Sequence, residues 1–415
     1  MWKWFFTICF CFTSVSLCSQ SFDSPFFAAR QTAMGGTGVS TLPDLASVYT
    51  NPGALSFLYS NGVMLGSSWE TYDSRASGLN SNSLNELSNL RKVNLQAFGA
   101  WAKNSDSPIR FGLGIYDDFG ARSRFELRHP DFSWRHDYSY VSKAIQPSVS
   151  YRLTDRLGVG LGLKFLFSDL DWKTGNSNDG DEWLRDRLEA QGAGVGLNLG
   201  MYWSPSDAVQ IGFNYRSSVG MDSFNGTLKS IDETISDDLT LNLSTPMSWS
   251  LGMNFMVNTS LAVAVETEFV GWSGVQHNLI NPNPEIGLPA MMSQLLPVRN
   301  NQWQYKVGLE YAVFGQFQLR TGVAMRSASV VKGSLLPIAI SNGATVFSWG
   351  AGYYYQERLM IDLSFQLVTG SDRTQTLDDI QLAGHYNPDL DAQLYAEGLY
   401  GSTAFIPSLT ISLRL

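Results

Sequence analysis

Cysteine, charge and long apolar runs are all scarce in this chain of 415 residues. The three cysteines, Cys9, Cys11 and Cys18, all lie within the first twenty residues. If that stretch is removed, the remaining protein has no disulfide, no thiolate nucleophile and no cysteine metal site. Charged residues make up only 16% of the chain, whereas about a quarter is typical of soluble domains. With 28 Lys and Arg against 37 Asp and Glu, no basic patch dominates, and we expect no nucleic-acid binding.

The first twenty residues have the pattern of a secretory signal peptide. Lys3 supplies positive charge, residues 4–12 form the apolar stretch, and small serines follow. The stretch is too short to span a bilayer as a helix, and no later run reaches the ~18 apolar residues of a membrane helix. Lipidation of Cys18 is the less favoured alternative, because Leu17 is large where a small residue is expected. We therefore predict a signal peptide at residues 1–20, which leaves a secreted β protein or an outer-membrane barrel.

Period-two alternation dominates from residue 63 onward and predicts β-strands. In residues 157–167 one face is large and apolar, and the other has three glycines followed by Lys164 and Leu166. The water-facing side of a soluble sandwich would carry Lys, Glu and Thr in place of repeated glycine. The pattern therefore indicates an apolar face turned to lipid and a small-residue face lining a crowded lumen.

Fourteen such strands are predicted, each about ten residues long, which matches a tilted membrane crossing. Tight turns such as residues 154–156 and 314–316 alternate with long loops such as 120–143 and 169–187. Short turns on one side and long loops on the other are typical of outer-membrane barrels, with both termini on the periplasmic side. The predicted fold is all-β, a 14-stranded antiparallel transmembrane β-barrel over residues 61–415, located in the bacterial outer membrane.

Residues 21–60, which precede the first strand, have a different composition. They are rich in small residues and contain a turn signal at Asn51, Pro52 and Gly53. A 14-stranded barrel is wider than its own side chains can fill and narrower than open porins. We therefore expect residues 21–60 to form an N-terminal hatch, or plug, in the lumen.

Residues 33–39, Ala-Met-Gly-Gly-Thr-Gly-Val, and residues 49–55, Tyr-Thr-Asn-Pro-Gly-Ala-Leu, resemble the hatch of the FadL/TodX family of outer-membrane transporters for hydrophobic compounds. That hatch carries Asn-Pro-Ala, whereas this chain has glycine at position 53. Further matches follow in order at residues 112–116, 119–120, 212–217, 224–226, 271–273, 308–311, 319–322 and 347–353. The resemblance spans nearly all of residues 28–415.

The resemblance implies passive uptake of hydrophobic compounds such as long-chain fatty acids. A ligand docks among the outer loops, moves to a lumenal pocket and, after a change in the hatch, leaves sideways through the wall. In the family the third strand is kinked inward at the opening, which corresponds here to Gly112, Gly114 and Asp117. The implied partners are fatty acids or hydrocarbons, outer-membrane lipid and lipopolysaccharide, and we expect a monomer.

Asp117 interrupts the outward apolar series of the third strand. A carboxylate that faces mid-bilayer lipid is unfavourable. Asp117 therefore lies at the outer rim, which is the favoured interpretation, or the strand is bulged there.

Catalytic and metal-binding chemistry is poorly represented in the chain. The four histidines, at positions 129, 136, 277 and 385, all fall in predicted outer loops, so a hydrolase in the barrel wall would lack its base. His129 and His136 lie near Asp131 and Asp137, but a solvated loop cluster is favoured over a metal site. We expect no enzyme activity, no metal and no cofactor.

Alternation also turns ten charged side chains toward the lumen. For each, pairing across strands or with the hatch is the favoured interpretation. The functional alternative is that one or two of Lys164, Arg216, Lys306 and Arg320 hold a carboxylate head group, which an arginine can bind bidentately.

Two apolar stretches are unusual for solvated loops and suggest a hydrophobic docking surface. The candidate docking residues are Leu288, Met291, Met292, Leu295, Leu335 and Leu336. Two alternatives to hydrophobic uptake stay open at this point. One is a family-shaped barrel that serves as a structural or secretion-partner component, and the other is a general porin for polar solutes.

Overall fold

A computed structural model describes residues 28–78, 83–85, 90–101, 106–128, 133–176, 186–230, 236–275, 277–280, 298–335, 342–356, 358–384 and 397–415. The predicted signal peptide lies outside these residues. Within the described ranges, no helix is long and apolar enough to cross a membrane.

The helices are short. They are α1 (Ala29–Ala33), α2 (Ser47–Thr50), α3 (Leu377–Leu382) and two 3-10 helices at Pro52–Phe57 and Trp272–Gly274. The strands are β1 (Gly62–Gly78), β2 (Ser83–Asn85), β3 (Leu90–Trp101), β4 (Ile109–Arg128), β5 (Ser133–Thr154), β6 (Leu157–Asn176), β7 (Asp186–Ser206), β8 (Val209–Arg216), β9 (Val219–Ser230), β10 (Ser236–Thr245), β11 (Ser248–Met256), β12 (Leu261–Val270), β13 (His277–Ile280), β14 (Gln302–Phe314), β15 (Phe317–Arg326), β16 (Ala344–Tyr355), β17 (Leu359–Gly370), β18 (Arg373–Gln375) and β19 (Gly398–Arg414).

These strands form a closed antiparallel barrel. Across the described residues it has fourteen transmembrane strands, three of which are each interrupted into two pieces: β8 with β9, β10 with β11, and β12 with β13. Strands β2 and β18 add short pairings at the long-loop end. The barrel closes where β1 pairs with β19, from Gly62–Arg414 to Gly78–Gly398. The predicted fold class is confirmed.

Near the short-turn end, the side chains of the wall point in the predicted directions. In β6, Leu161, Leu163 and Phe165 are exposed on the outside, while Gly162 and Lys164 are buried inside. We call this part of β5–β7 the lower half and the part beyond the paired row Ser142–Ser168–Gly192 the upper half.

In the upper half the strands continue well past their predicted ends. Most of the predicted loops 120–143 and 169–187 is strand, because β4 runs to Arg128 and β6 runs to Asn176. The prediction of loops was wrong because the apolar side chains change faces here, from the outside of the barrel to the inside. Leu170 and Trp172 point inward and are buried, whereas Asp169 lies exposed on the outer face.

Residues 28–58, hereafter the N-terminal segment, occupy the lower lumen. Nearly all of them are buried, including the whole of α1 and α2. Helix α1 contacts β15–β17 and β19, and the 3-10 helix at Pro52–Phe57 contacts β4–β7. Gly35 and Gly36 adopt positive φ values of 71° and 84°, which favour glycine and turn the chain after α1.

Candidate functional site

The inward glycines of the lower half make room for the N-terminal segment. A Cβ atom on any of nine of them would come within 3 Å of an atom of that segment. These glycines are Gly112, Gly158, Gly160, Gly200, Gly212, Gly252, Gly308, Gly322 and Gly350. The small-residue face that the sequence indicated is therefore the surface on which residues 28–58 lie.

Asn51, Pro52 and Gly53 form a closely packed turn against this face. The Asn51 side-chain amide donates to the carbonyls of Val39 at 2.7 Å and Met201 at 2.9 Å, and its Oδ1 accepts from the Gly53 N–H. Pro52 begins the 3-10 helix, where its missing N–H leaves no donor unsatisfied. A Cβ on Gly53 would lie 2.7 Å from the Gly200 carbonyl oxygen, so alanine does not fit here without movement.

A first ionic cluster attaches the N-terminal segment to the wall. Arg30 binds Glu310 bidentately, with both N···O distances 2.9 Å, and also contacts Asp44 at 3.1 Å. Burial by itself would lower the pKa of Arg30, but Glu310 and Asp44 outweigh it and raise that pKa, so the guanidinium stays charged. Arg320 binds the same Glu310 and Asp362, each at 2.6 Å.

A second cluster centres on Lys306. Its Nζ lies 2.9 Å from Glu266 and 2.7 Å from Glu268. The second oxygen of Glu266 accepts the backbone N–H groups of Gly38 at 2.8 Å and Val39 at 3.0 Å. This carboxylate therefore ties the N-terminal segment to the barrel, and Lys306 balances its charge.

Lys164 and Arg216 are the other two predicted lumenal cations. Lys164 binds Asp118 at 2.7 Å, and both side chains are buried. Arg216 is held more loosely: its contact to Glu268 is 3.7 Å, and its Nε has no hydrogen-bond partner in the structure. All four candidates thus pair with carboxylates, as the favoured interpretation predicted, and Arg216 has the longest ion pair among them.

Among the described residues, one cavity lies on each side of the N-terminal segment. At the short-turn end, a cavity of about 640 Å³ is lined by Arg30, Asp44, Tyr59 and Arg358, among others. On the other side, a cavity of only about 20 Å³ is lined by Arg216, Lys164 and ten further residues. That volume holds roughly one water molecule, so a larger ligand can enter only if the lining moves.

The wall is interrupted between β3 and β4. Their ladder runs from Trp101–Phe111 to Gln96–Tyr116, although β3 continues along β1 to Leu90 and β4 continues along β5 to Arg128.

Asp117 lies at the point where the ladder stops. The β4–β5 register shifts between Asp117 and Gly120, so the strand is bulged there, which is the less favoured of the two interpretations of the sequence. The Asp117 carboxylate accepts the Leu95 N–H at 3.2 Å, so a side-chain hydrogen bond joins the two strands just beyond the last ladder pair. Gly112 and Gly114, by contrast, belong to the regular paired part of β4 and are buried beneath Val48.

The predicted docking surface is only partly described. Leu288, Met291, Met292, Leu295 and Leu336 lie outside the described residues. Leu335 was expected to be exposed, and that expectation was wrong. It is fully buried with Val330 and Ile380, and Gln375 bonds both its N–H and its carbonyl.

No group of three or more possible metal ligands occurs in the described part of the chain. Of the candidate metal cluster, His129 and Asp131 lie outside the described residues.

Comparison with known proteins identifies the family. The sequence model of the outer membrane protein transport protein family (OMPP1/FadL/TodX) matches residues 27–405. The chain belongs to this family. It is therefore an outer-membrane β-barrel of a transporter family for hydrophobic compounds.

Individual relatives agree with this assignment. The chain is 23% identical over 335 residues to outer membrane protein P1 of Haemophilus influenzae, covering 69% of this chain and 71% of that protein. Its fold is similar to a Pseudomonas aeruginosa FadL homologue, with a TM-score of 0.75 and 16% identity over 96% of this chain and all of the other. It is also similar to the Pseudomonas putida toluene transporter TodX, with a TM-score of 0.66 and 16% identity over 94% and 98% of the two chains.

Sequence reasoning missed three residues that shape the site. Asp118, the partner of Lys164, was overlooked beside Asp117, although alternation from Gly112 and Gly114 turns it inward. Tyr49 and Trp272 were noted only within the stretches that carry the family resemblance, yet both line the smaller cavity. A search for aromatics next to inward charges would have found them.

Proposed function

We propose that this chain mediates passive uptake of hydrophobic compounds, such as long-chain fatty acids or hydrocarbons, across the outer membrane. The N-terminal segment acts as the hatch that blocks the lumen, and the ligand leaves sideways between β3 and β4. The chain works as a monomer whose apolar outer face contacts membrane lipid and lipopolysaccharide. The relatives described as a toluene transporter and a FadL homologue support the ligand class.

A lateral exit solves a physical problem of release. Burying a dozen methylenes contributes about 0.8 kcal/mol each, or roughly 10 kcal/mol in all. A ligand held so tightly would be slow to return to water, but it keeps its apolar surroundings if it passes directly into lipid.

The observation that carries the proposal is the interrupted seam between β3 and β4, which stops at Gln96–Tyr116 in the lower half of the wall. Beyond it, the two strands follow different neighbours. A small outward displacement of either strand would open the wall without breaking any further β3–β4 ladder bond.

A disulfide across this seam tests the proposal. In L95C/D117C the two cysteines face each other beside the interruption, because the Asp117 carboxylate reaches the Leu95 N–H. We expect oxidation to abolish transfer of a radiolabelled fatty acid or toluene into proteoliposome lipid, and reduction to restore it.

The matched control is A97C/I115C, which cross-links directly paired residues in the intact part of the same ladder. It should leave transfer unchanged in both redox states. Undiminished transfer by oxidised L95C/D117C would refute the lateral exit. A wild-type protein that transfers nothing but co-purifies with a stable partner would instead favour the structural or secretion-partner alternative.

A further inference from the structure

The smaller cavity contacts the N-terminal segment through a single residue. Of the twelve residues that line it, only Tyr49 comes from residues 28–58. The others come from the wall, including Phe119, Trp272, Gln304 and Arg216. Any enlargement of this cavity toward the segment must therefore displace Tyr49.

Arg216 holds Tyr49 in two ways. Its guanidinium carbon lies 4.1 Å from the centre of the Tyr49 ring, within the range of a cation–π interaction. Its Nη2 also donates to the Tyr49 carbonyl at 3.4 Å, an oxygen that accepts a second bond from Asn198 at 3.1 Å. The Tyr49 ring in turn packs edge-on against the Tyr116 ring, with 4.9 Å between the ring centres.

Arg216 also has a hydrogen-bond donor that is not used. It is at least nine-tenths buried and lines the cavity, yet its Nε–H has no hydrogen-bond partner in the structure and its ion pair to Glu268 is long. Glu268 keeps an ion pair when Arg216 turns away, because Lys306, which Glu268 shares with Glu266, lies 2.7 Å from it. Arg216 can therefore turn toward a new acceptor without leaving a buried carboxylate unpaired.

We propose that Arg216 couples ligand binding to the N-terminal segment, by exchanging its contacts with Tyr49 for a hydrogen bond to an oxygen acceptor on an otherwise apolar ligand. The acceptor is a carboxylate or a hydroxyl, and the apolar part lies against Phe119 and Trp272. Once Arg216 has turned away, Tyr49 loses two of the contacts that hold it, so that Tyr49 and α2 move more readily. The inference rests on the proposed function, since it names the ligand group and the residue that act at that site.

Three ligands of one chain length separate the possible acceptors: decanoate, 1-decanol and decane. We expect R216M to weaken binding of the ligands with an oxygen by about tenfold or more, because a hydrogen bond to a charged group is lost. Decane binding should change less than about threefold. Weaker binding of decanoate alone identifies a carboxylate as the acceptor. Weaker binding of both decanoate and 1-decanol shows that either oxygen group can be the acceptor.

Movement of the segment needs its own measurement. Ser47, in α2, is buried, and S47C gives a reporter whose reaction with a maleimide can be followed by mass spectrometry. We expect 1-decanol or decanoate to accelerate labelling of S47C, and to have no such effect in S47C/R216M.

Two further variants keep the test decisive. R216K retains the positive charge near Glu268 but not the planar set of donors, and should show the same selective loss. R187M removes a cation from the outer face of the upper half, away from the cavity, and should leave the ratio of ligand affinities unchanged. Folding of each variant is checked by its heat-dependent migration on gels.

The outcomes separate this inference from the proposed function. If the wild type binds none of the three ligands, both fall. If the wild type binds them but R216M and R216K lose all three equally, or lose none, only the coupling role of Arg216 is refuted. Ligand-accelerated labelling that persists in S47C/R216M refutes it as well.

Discussion

The lower and upper halves of β6 have the same alternating backbone but place their apolar side chains on opposite faces. In the lower half, glycines and Lys164 point inward and Leu163 and Phe165 point outward. In the upper half, Leu170 and Trp172 point inward and acidic residues point outward. The outer face is apolar along the lower half, around a polar lumen that residues 28–58 occupy, and acidic along the upper half, around an apolar interior. This is the arrangement expected of a lower half in lipid and an upper half in water. One strand can therefore carry two opposite patterns when its surroundings change along its length.

Charge pairs differ between the halves in the same way. Those of the lower lumen, such as Arg30–Glu310, are buried and join the N-terminal segment to the wall. Those of the upper half, such as Arg187 with Asp171 and Glu189, lie on the outer face and are partly exposed. The same chemistry should therefore contribute very different amounts to stability.

The largest effect is expected from R30M. It leaves Asp44 and part of Glu310 without their cation in a buried site, which typically costs about 3–5 kcal/mol. The expected result is a lower temperature of the heat-dependent gel shift, together with faster labelling of S47C. A variant as stable and as protected as the wild type would contradict the anchoring role of Arg30.

L163K tests the lipid-facing side of the lower half. A lysine near the bilayer midplane costs about 2–4 kcal/mol in a transmembrane barrel, so the fraction that folds into lipid vesicles should fall. The matched control is D169K, six residues along the same strand, where the side chain is exposed in the upper half. Equal folding of the two variants would remove the distinction between the halves.

G160A tests the fit between the glycine face and the segment. Its Cβ would overlap the Pro52 backbone, and overpacking of this kind costs about 1–3 kcal/mol. We expect lower thermal stability and faster labelling of S47C. The control G315A adds the same methyl group in a tight turn, where nothing lies within 4 Å, and it should behave as the wild type.

The smallest effect is expected from R187M. Its ion pairs lie on the outer face of the upper half, where an exposed pair contributes less than about 1 kcal/mol. The thermal midpoint should stay within a few degrees of the wild type. A loss as large as that of R30M would show that the upper network is structural, contrary to the comparison.

Sequence alone predicted the features that follow from alternation and length. Repeated glycine opposite Leu161 and Leu163 predicted the lipid-facing wall and its small-residue interior. The upper strands were taken for loops because residues 169–173 alternate in the opposite sense and resemble a water-exposed strand. That inverted pattern is itself typical of a strand whose outer face is in water. It indicates a continued strand once the lower half is taken to lie in lipid.

Pairings that depend on register could not be predicted. Alternation turned Arg216, Lys306 and Arg320 inward, but it did not say which carboxylate each would meet across the sheet. The burial of Leu335 depends on Gln375, which is distant in the sequence. The roles of Tyr49 and Arg30 depend on how the N-terminal segment folds back into the barrel, which local patterns do not specify.

The conductance of the full-length protein in a planar lipid bilayer tests the central claim most directly. If residues 28–58 block the lumen and apolar ligands leave through the wall, the protein should insert without producing a large, steady ion current. A large, steady channel in the intact chain would mean that the lumen is open to water, and it would support a general porin.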